Sequence, residues 1–284
     1  MKSMNTPITP VKNGFTLTEL LVVLATLSVL AMLLVPALAS TKPHSQAIQC
    51  LDNERRLALA WQMYAQDNRG KLAPNGDEAA QPTSPTDPTL ETSNLQWCPG
   101  VMEFGAQDNG PTNTALIMAG CIYPYVKAVG VYRCPADVST TLIYGRLLPR
   151  VRSVAMNCWL NPLNIWNASA NGRAFRTDSD LGVLGAANVW LVMDENPYGI
   201  DDAYMAEYPP PGPGGPARLY WVEYPAAYHN GAAGISFCDG HVMLKKWTDQ
   251  TVLSLRSQSP PNMPPNPANC PDLPWLQSVS TRSN

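Results

Sequence analysis

The most extended apolar run of the chain lies near its beginning. Residues 20–35 contain no charged side chain, and only Thr26 and Ser28 interrupt the apolar sequence. Together with its flanking residues this segment reaches the ~20 apolar residues that a helix needs to span a bilayer. The pattern therefore predicts that residues 15–38 form a transmembrane helix.

A helical pattern continues beyond this run. Large apolar side chains recur at Leu57, Trp61 and Tyr64, and the spacing i, i+4, i+7 places them on one face of a helix. The sequence Asp67-Asn68-Arg69-Gly70 is typical of a helix end. We therefore expect one long helix over residues 15–67, whose second half packs on a globular domain.

Strand patterns occur further along the chain. Residues 188–195 form a buried-type strand run, and residues 151–160 and 219–223 are further strand candidates. Alternating apolar residues flank Asp239-Gly240, a strong hairpin signal because both residues tolerate a positive φ. The predicted fold class is α+β, with the long N-terminal helix (transmembrane plus exposed) packed on a C-terminal antiparallel β-sheet domain.

Proline-rich segments divide the rest of the sequence. The chain has 28 prolines and 19 glycines, which favours a loop-rich β domain over a helical bundle. Residues 74–94 and 206–217 are typical of surface loops. The predicted organisation is a leader over residues 1–14, the helix over 15–67, an α+β globular domain over 68–256 and a Pro-rich, disordered tail over 257–284.

Charge and cysteine content narrow the functional classes. Charged residues make up 14% of the chain and the net charge is −3, so no nucleic-acid partner is expected. The seven cysteines are odd in number, which leaves at least one free or paired between chains. Because no C-x-x-C spacing occurs, a zinc knuckle or a redox motif is not expected. Disulfides and buried thiols remain alternatives.

A single carboxylate, Glu19, precedes the apolar run. An ionisable group in such a segment is costly and usually has both a partner and a function. A secretory signal peptide with Ala37-Leu38-Ala39 as its cleavage site would have no use for this residue. A plain membrane anchor would explain the length of the segment, but it would not explain Glu19 either.

The residues around Glu19 resemble a known processing site. The sequence Lys12-Asn13-Gly14-Phe15-Thr16-Leu17-Thr18-Glu19 is similar to the start of type IV prepilins and type II secretion pseudopilins. The resemblance implies cleavage between Gly14 and Phe15 by a prepilin peptidase, followed by methylation of the new amino terminus. It also implies that Glu19 pairs with the terminal amine of a neighbouring subunit, and that Pro36 occupies the kink position of such helices.

This resemblance also implies a pilin-like fold, partners and a location. The expected partners are the prepilin peptidase, other pilin or pseudopilin subunits and an inner-membrane assembly platform. Lys2 and Lys12 place two positive charges before the helix, which favours a cytoplasmic leader. We therefore expect a single-pass protein of the cytoplasmic (inner) membrane whose C-terminal domain is periplasmic or extracytoplasmic, assembled into a type IV pilus- or type II secretion-like filament.

Two motifs in the second half of the chain narrow the resemblance. Cys134-Pro135-Ala136-Asp137 and the element formed by His229, nine residues and Asp239-Gly240 are present. Both resemble motifs, "CPxD" and H-X9-DG, of a pilin-like group abundant in planctomycete and verrucomicrobial genomes. The motifs indicate membership of that group rather than a mechanism.

The hairpin region also offers candidate metal ligands. His229, Asp239 and His241 would suit zinc or manganese if His229 folds back over the hairpin. In the structural alternative, Asp239 binds turn amides and His229 binds a nearby backbone group. Calcium is a further candidate, and its acidic ligands would be Asp194, Glu195, Asp201 and Asp202. The filament function itself requires no cofactor.

An enzyme is not expected from this sequence. It lacks the Gly-x-Ser-x-Gly and His-Glu-x-x-His motifs and a phosphate-binding glycine loop. A tethered hydrolase using His229 with Asp239 is a weak alternative. The main alternative to a filament subunit is a membrane-tethered binding module for a metal or a glycan that does not polymerise.

Overall fold

Residues 14–76, 96–102, 110–164, 171–212, 219–255 and 270–283 are described by the structure, a computed structural model, without the side chains of 31 and 33–43. The chain divides into two compact units, Met1–Lys42 and Pro43–Asn284. The predicted leader, except Gly14, lies outside the described residues. So do most of the predicted loop over 74–94, part of the loop over 206–217 and the first half of the predicted tail.

Helix α1 spans Leu17–Asp67, bounds that include Pro36 and Pro43. It ends where the sequence predicts, because Arg69 and Gly70 both have positive φ, 58° and 79°. The Gly70 amide donates a hydrogen bond to the Ala65 carbonyl at 2.8 Å. This arrangement satisfies a carbonyl that the last turn of a helix would otherwise leave unpaired.

The predicted fold class is wrong about the membrane-spanning helix. Within the described part of the chain, no helix is long and apolar enough to cross a membrane.

The second unit contains a five-stranded sheet with the order β5-β3-β4-β6-β7. The strands are β3 (Val154–Asn157), β4 (Trp190–Asp194), β5 (Tyr204–Met205), β6 (Ala232–Phe237) and β7 (Val242–Lys246). A separate hairpin pairs β1 (Thr140–Ile143) with β2 (Arg146–Pro149). The strand predicted over 188–195 is confirmed by β4, and the hairpin predicted around Asp239-Gly240 is confirmed by the antiparallel pairing of β6 with β7.

The sheet departs from the predicted antiparallel arrangement only at its edge strand β5, because β3 with β4, β4 with β6 and β6 with β7 all pair antiparallel. Strand β5 pairs with β3 in parallel, with Met156 opposite Tyr204. Two buried arginines that precede β3 bind carbonyls of the loop that leads into β5. Arg152 donates to the Asp202 carbonyl at 2.6 Å, and Arg150 donates to the Ile200 carbonyl at 3.0 Å. These contacts hold the loop so that the chain returns alongside β3 in the same direction.

One face of the sheet packs against α1. Leu57 and Trp61 of α1 are buried in one cluster with Met156 of β3 and Val192 of β4. Full burial of such a side chain contributes about 1.5–3 kcal/mol. The apolar stripe predicted from its helical spacing is therefore the face of α1 that packs on the sheet.

An irregularity in β4 decides which of its side chains face α1. The pairing of β4 with β6 shifts register between Trp190 and Met193. Leu191 and Val192 both pack on the α1 side, whereas Trp190 and Met193 pack on the other side. Because strand side chains alternate, Asp194 follows Met193 on the α1 side.

Short helices and turns complete the second unit. They are α2 (Thr114–Ala119), α3 (Tyr123–Val126), α4 (Gln250–Ser254), α5 (Asp272–Ser278) and the 3-10 helices Gly110–Thr112, Val129–Tyr132, Asp178–Val183 and Ala186–Asn188. The strand predicted over 219–223 does not form, and Trp221 is instead a core residue on the far side of the sheet. The predicted disorder of the tail is wrong for residues 270–283, because Leu273 and Leu276 of α5 are buried in the same cluster.

Candidate functional site

Four metal-capable side chains from four separate parts of the fold converge inside the second unit. Cys50, Cys134, Asp194 and His229 each offer one ligand atom, and these atoms all lie within 4.8 Å of one another. We call these four residues the buried ligand group. The two cysteines and Asp194 are at most 1% exposed, and the His229 side chain is 3% exposed, so solvent is largely excluded.

Helix α1 brings Cys50 to the segment that carries Cys134. Gln46 and Asn53, on the same face of α1 as Cys50, donate hydrogen bonds to the carbonyls of Pro135 and Arg133 at 2.9 and 3.3 Å. The spacing 46, 50, 53 is the i, i+4, i+7 pattern of one helix face. The backbone on either side of Cys134 is therefore fastened directly to the turn of helix that carries Cys50.

The sheet supplies the other half of the buried ligand group. Asp194, at the end of β4, accepts hydrogen bonds through Oδ2 from Cys50 Sγ at 3.0 Å and from the Gly234 amide at 2.9 Å. His229, in the loop before β6, places Nε2 3.5 Å from Asp194 Oδ2 and 3.2 Å from Cys134 Sγ. Each ligand atom thus touches at least one other.

Gly234 leaves the space that the group occupies. A Cβ atom at this position would lie 2.8 Å from Cys50 Sγ and 3.2 Å from Asp194 Oδ2. Gly234 lies in β6 on the face toward α1, where the neighbouring Ser236 donates a hydrogen bond to Glu54 Oε2 at 3.0 Å. A side chain at residue 234 would force the sheet and α1 apart at this point.

The electrostatics of the group favour a positive charge. Burial, and then the nearby Asp194 carboxylate, raise the pKa of Glu54 well above its usual range. Burial alone would lower the pKa of His229, but its hydrogen bonds to Asp194 and Cys134 raise it to about 10. A hydrogen bond between the two thiols raises the pKa of Cys50 and lowers that of Cys134. A positive charge near these residues would therefore stabilise the negative forms of the acidic groups gathered here.

The buried Cys/Asp/His group could hold a metal ion. Two sulfur atoms, one imidazole nitrogen and one carboxylate oxygen form a ligand set that proteins use for transition metals. No further titratable side chain of the described residues joins this group as a ligand. The four donors would fill a four-coordinate ion.

The predicted metal ligands do not come together. His229 belongs to the buried ligand group, whereas Asp239 and His241 bind each other on the exposed β6–β7 turn, with Oδ1 and Nδ1 2.6 Å apart. Asp239 Oδ1 also accepts a hydrogen bond from the His241 amide at 3.1 Å. Gly240 has a φ of 92°, a backbone conformation that glycine adopts more readily than other residues. Asp239 and Gly240 therefore have the structural role that a hairpin turn requires.

The predicted calcium ligands do not form one site either, because Asp194 lies apart from the other three. Asp194 faces the buried ligand group, while Asp201 and Asp202 accept hydrogen bonds from the amides of Asp202 and Tyr204 at 2.8 and 2.6 Å. Glu195 is buried and follows Asp194, so strand alternation turns it to the other side. Among the described residues, these acids form no set of metal ligands.

The predicted processing and assembly residues lie at the start of α1. Gly14 and Phe15 precede the helix and are exposed. The Glu19 Oε2 atom accepts hydrogen bonds from the Thr16 amide at 2.8 Å and from the Thr16 hydroxyl at 2.6 Å. The Glu19 amide in turn donates to Thr16 Oγ1 at 3.3 Å. This is a capping box, a reciprocal pair that closes a helix N-terminus. Pro36 lies within α1, and its side chain is outside the described residues.

Sequence reasoning did not predict Cys50 and Cys134 as metal ligands, and it predicted Asp194 only as a ligand of calcium. Zinc-binding sequence motifs place ligands in pairs, but this group takes one ligand from each of four distant segments. The Cys134-Pro135 motif and His229 had been singled out separately, and nothing in their spacing joins them. The six cysteines other than Cys270 are buried free thiols.

Comparison of the chain with family models, with curated proteins and with solved structures gave no match.

Proposed function

We propose that this chain is a pilin- or pseudopilin-like subunit, processed between Gly14 and Phe15, that assembles with other subunits through the beginning of α1. The observation that carries the proposal is the surface of residues 14–30. Every one of these residues is exposed. The exposed large apolar side chains in this stretch are Phe15, Leu17, Leu20, Leu21, Val22, Val23, Leu24, Leu27, Val29 and Leu30.

An apolar surface of this extent is unfavourable in water and indicates an interaction site. Glu19 is the only ionisable side chain within it. It lies in a shallow depression with Phe15, Thr18, Val22 and Val23. A neighbouring subunit's terminal amine placed in this depression would pair with the carboxylate and offset the loss of water around both charges.

The first test is the mature amino terminus. The full chain is co-expressed with a prepilin peptidase, and the mature N-terminus is identified by mass spectrometry. We expect a chain that begins at N-methylated Phe15. A chain that begins at Ala39 or Ser40 would identify a signal peptide and contradict the proposal.

The second test separates assembly from helix capping. Glu19→Ala removes both the charge and the capping box, whereas Thr16→Ala weakens the cap by about 1 kcal/mol and keeps the carboxylate. Because loss of one partner of a buried ion pair costs about 3–5 kcal/mol, we expect Glu19→Ala to reduce co-purification of partner subunits by roughly 100-fold or more. Thr16→Ala should retain most of it. Equal losses in both variants would assign Glu19 to capping alone.

The buried ligand group favours a second candidate function, a metal-binding module that does not polymerise. Such a module would remain monodisperse after processing, and Glu19→Ala would change nothing in its association. Among the cations considered from the sequence, the thiol sulfurs favour zinc and disfavour calcium, which prefers oxygen ligands. The location of the second unit outside the cytoplasm stays a prediction, because the leader charges that suggest it lie outside the described residues.

A further inference from the structure

The chemistry of the buried ligand group selects one kind of metal. Two cysteines, one histidine and one aspartate combine soft and borderline donors, which suit zinc. We propose that Cys50, Cys134, Asp194 and His229 bind one Zn²⁺ in a closed, four-coordinate structural site. This inference is independent of the proposed filament function, because none of its residues belongs to the N-terminal segment.

The separations between the donors, all within 4.8 Å, are close to those around a tetrahedral ion. Zinc bonds of ~2.0–2.3 Å in tetrahedral geometry place neighbouring donors about 3.3–3.8 Å apart. The structure has Cys50 Sγ 3.0 Å and His229 Nε2 3.5 Å from Asp194 Oδ2. Cys134 Sγ is 3.2 Å from His229 Nε2. Small shifts of side chains that are already gathered would complete the coordination.

Surrounding groups hold the donors in place. The Gly234 amide donates a hydrogen bond to Asp194 Oδ2 at 2.9 Å, and the Cys134 amide donates one to the Ser153 hydroxyl at 2.8 Å. Such outer contacts orient the ligands of metal sites. Asp194 Oδ1 is buried and, within the described part of the chain, has no hydrogen-bond partner. An ion beside this carboxylate would compensate for the missing partner.

The position of the site defines its role. Its ligands come from α1, from the segment after the 3-10 helix Val129–Tyr132, from the end of β4 and from the loop before β6. All four coordination positions are taken by the protein, which is typical of structural zinc and leaves no position for a substrate. The ion would fasten α1 to the sheet.

The first experiment measures zinc in the full-length chain. The protein is purified under reducing conditions with zinc present, unbound ion is removed, and bound zinc is measured by mass spectrometry. We expect about one zinc per chain. Cys50→Ser, Cys134→Ser and His229→Ala should each lower the zinc content at least about tenfold, because loss of a residue that only orients a ligand already costs about 10–100-fold in affinity.

A matched control uses another buried thiol. Cys98 is fully buried but lies outside the buried ligand group. Cys98→Ser should therefore keep its zinc, even if it loses some stability. A loss of zinc in Cys98→Ser equal to that in Cys134→Ser would overturn the assignment of the ligands.

A second measurement on the unaltered chain does not depend on whether the variants fold. Replacement of zinc by Co²⁺ should produce sulfur-to-cobalt charge-transfer absorption in the near ultraviolet and the intense visible bands of a tetrahedral ion. Two outcomes would overturn the proposal. One is a folded chain that binds neither zinc nor cobalt, and the other is a Cys50–Cys134 disulfide in the protein as it is isolated from cells.

Discussion

At the scale of single residues, Gly234 determines how closely the sheet approaches α1. A Cβ atom there would be 2.8 Å from Cys50 Sγ and 3.5 Å from Glu54 Cγ. Both neighbours belong to α1, and both are buried. They have little room to move, because interiors are close-packed.

We expect Gly234→Ala to lower the free energy of unfolding by about 1–3 kcal/mol, since the added methyl group overpacks this contact. The measurement is chemical denaturation of the full chain. Gly130→Ala is the matched control, because a Cβ at residue 130 would meet no atom within 4 Å. It should change stability by less than about 0.5 kcal/mol. Equal effects of the two variants would show that the approach at Gly234 is not tight.

Some of these single-residue roles could be predicted from the sequence, and others could not. Thr16 and Glu19 have the T-x-x-E spacing of a capping box, so the hydrogen bonds of Glu19 were within reach of sequence reasoning. The side of the sheet on which the Asp194 side chain lies could not be predicted, because it depends on the irregular pairing between Trp190 and Met193. An irregularity of this kind moves the side chains that follow it to the opposite face of the sheet, and no pattern in the sequence predicts it.

At the scale of secondary-structure elements, α5 shows why the disorder predicted for the C-terminal tail is wrong in part. Asp272, in its first turn, is fully buried and accepts hydrogen bonds from the amides of Thr248 and Asp249 at 2.6 and 2.8 Å. Lys245 Nζ lies 3.2 Å from Asp272 Oδ1. The high proline content of the tail predicts disorder, but composition does not show that Asp272 is held by these hydrogen bonds.

Asp272→Ala should destabilise the chain by about 2–4 kcal/mol, because it leaves buried donors without an acceptor. Denaturant unfolding would measure the loss. Asp52→Ala serves as the control, since Asp52 is exposed on α1 and its removal should cost less than about 0.5 kcal/mol. If Asp272→Ala proved as mild as the control, α5 would not anchor the tail.

At the scale of the whole second unit, buried carboxyl groups make stability depend on pH. Burial raises the pKa of Glu207 to about 8, although Ser280 and the Trp190 indole nitrogen act in the opposite direction. The folded chain therefore keeps a proton on Glu207 that the unfolded chain loses above ~4.3. Stability should fall as pH rises from the unfolded pKa through the folded pKa, by up to about 1.4 kcal/mol per pH unit.

Glu207→Gln keeps a neutral acceptor and should remove this dependence. We expect the melting temperature of the variant to exceed that of the unaltered chain increasingly between pH 5 and about 8. Thermal unfolding across this range is the measurement. Asp52→Asn makes the same replacement of a carboxyl group by an amide at an exposed position and should leave the pH profile unaltered. Parallel profiles for Glu207→Gln and the unaltered chain would contradict the raised pKa.

The pKa of a buried carboxyl group is lowered instead of raised where its hydrogen bonds outweigh the effect of burial. Burial alone would raise the pKa of Asp272, but the Thr248 and Asp249 amides, the Thr248 hydroxyl and Lys245 lower it below its usual value. Its contribution is present above the unfolded pKa and is lost as pH falls through the folded pKa. The second unit is therefore weakened at both ends of the pH range by different carboxyl groups.

The α+β composition, the stop of α1 at Asp67 and the β6–β7 hairpin could all be predicted from local patterns. The parallel pairing of β5 and the gathering of the buried ligand group could not, because both depend on contacts between segments far apart in the chain. Arg152, for example, holds the loop before β5 through the Asp202 carbonyl. Contacts of this kind leave no periodic signal in the sequence.

The scattered origin of the buried ligand group has a consequence for biosynthesis. Cys50 and Cys134 leave the ribosome before Asp194 and His229 exist. During that interval both thiols are exposed, and a thiolate attacks any accessible disulfide. Incorrect cross-links are therefore most easily formed while the chain is incomplete, and arrival of His229 ends this period by enclosing the sulfurs. The yield of correctly folded protein should depend on the redox conditions during synthesis more than on those met by the finished chain.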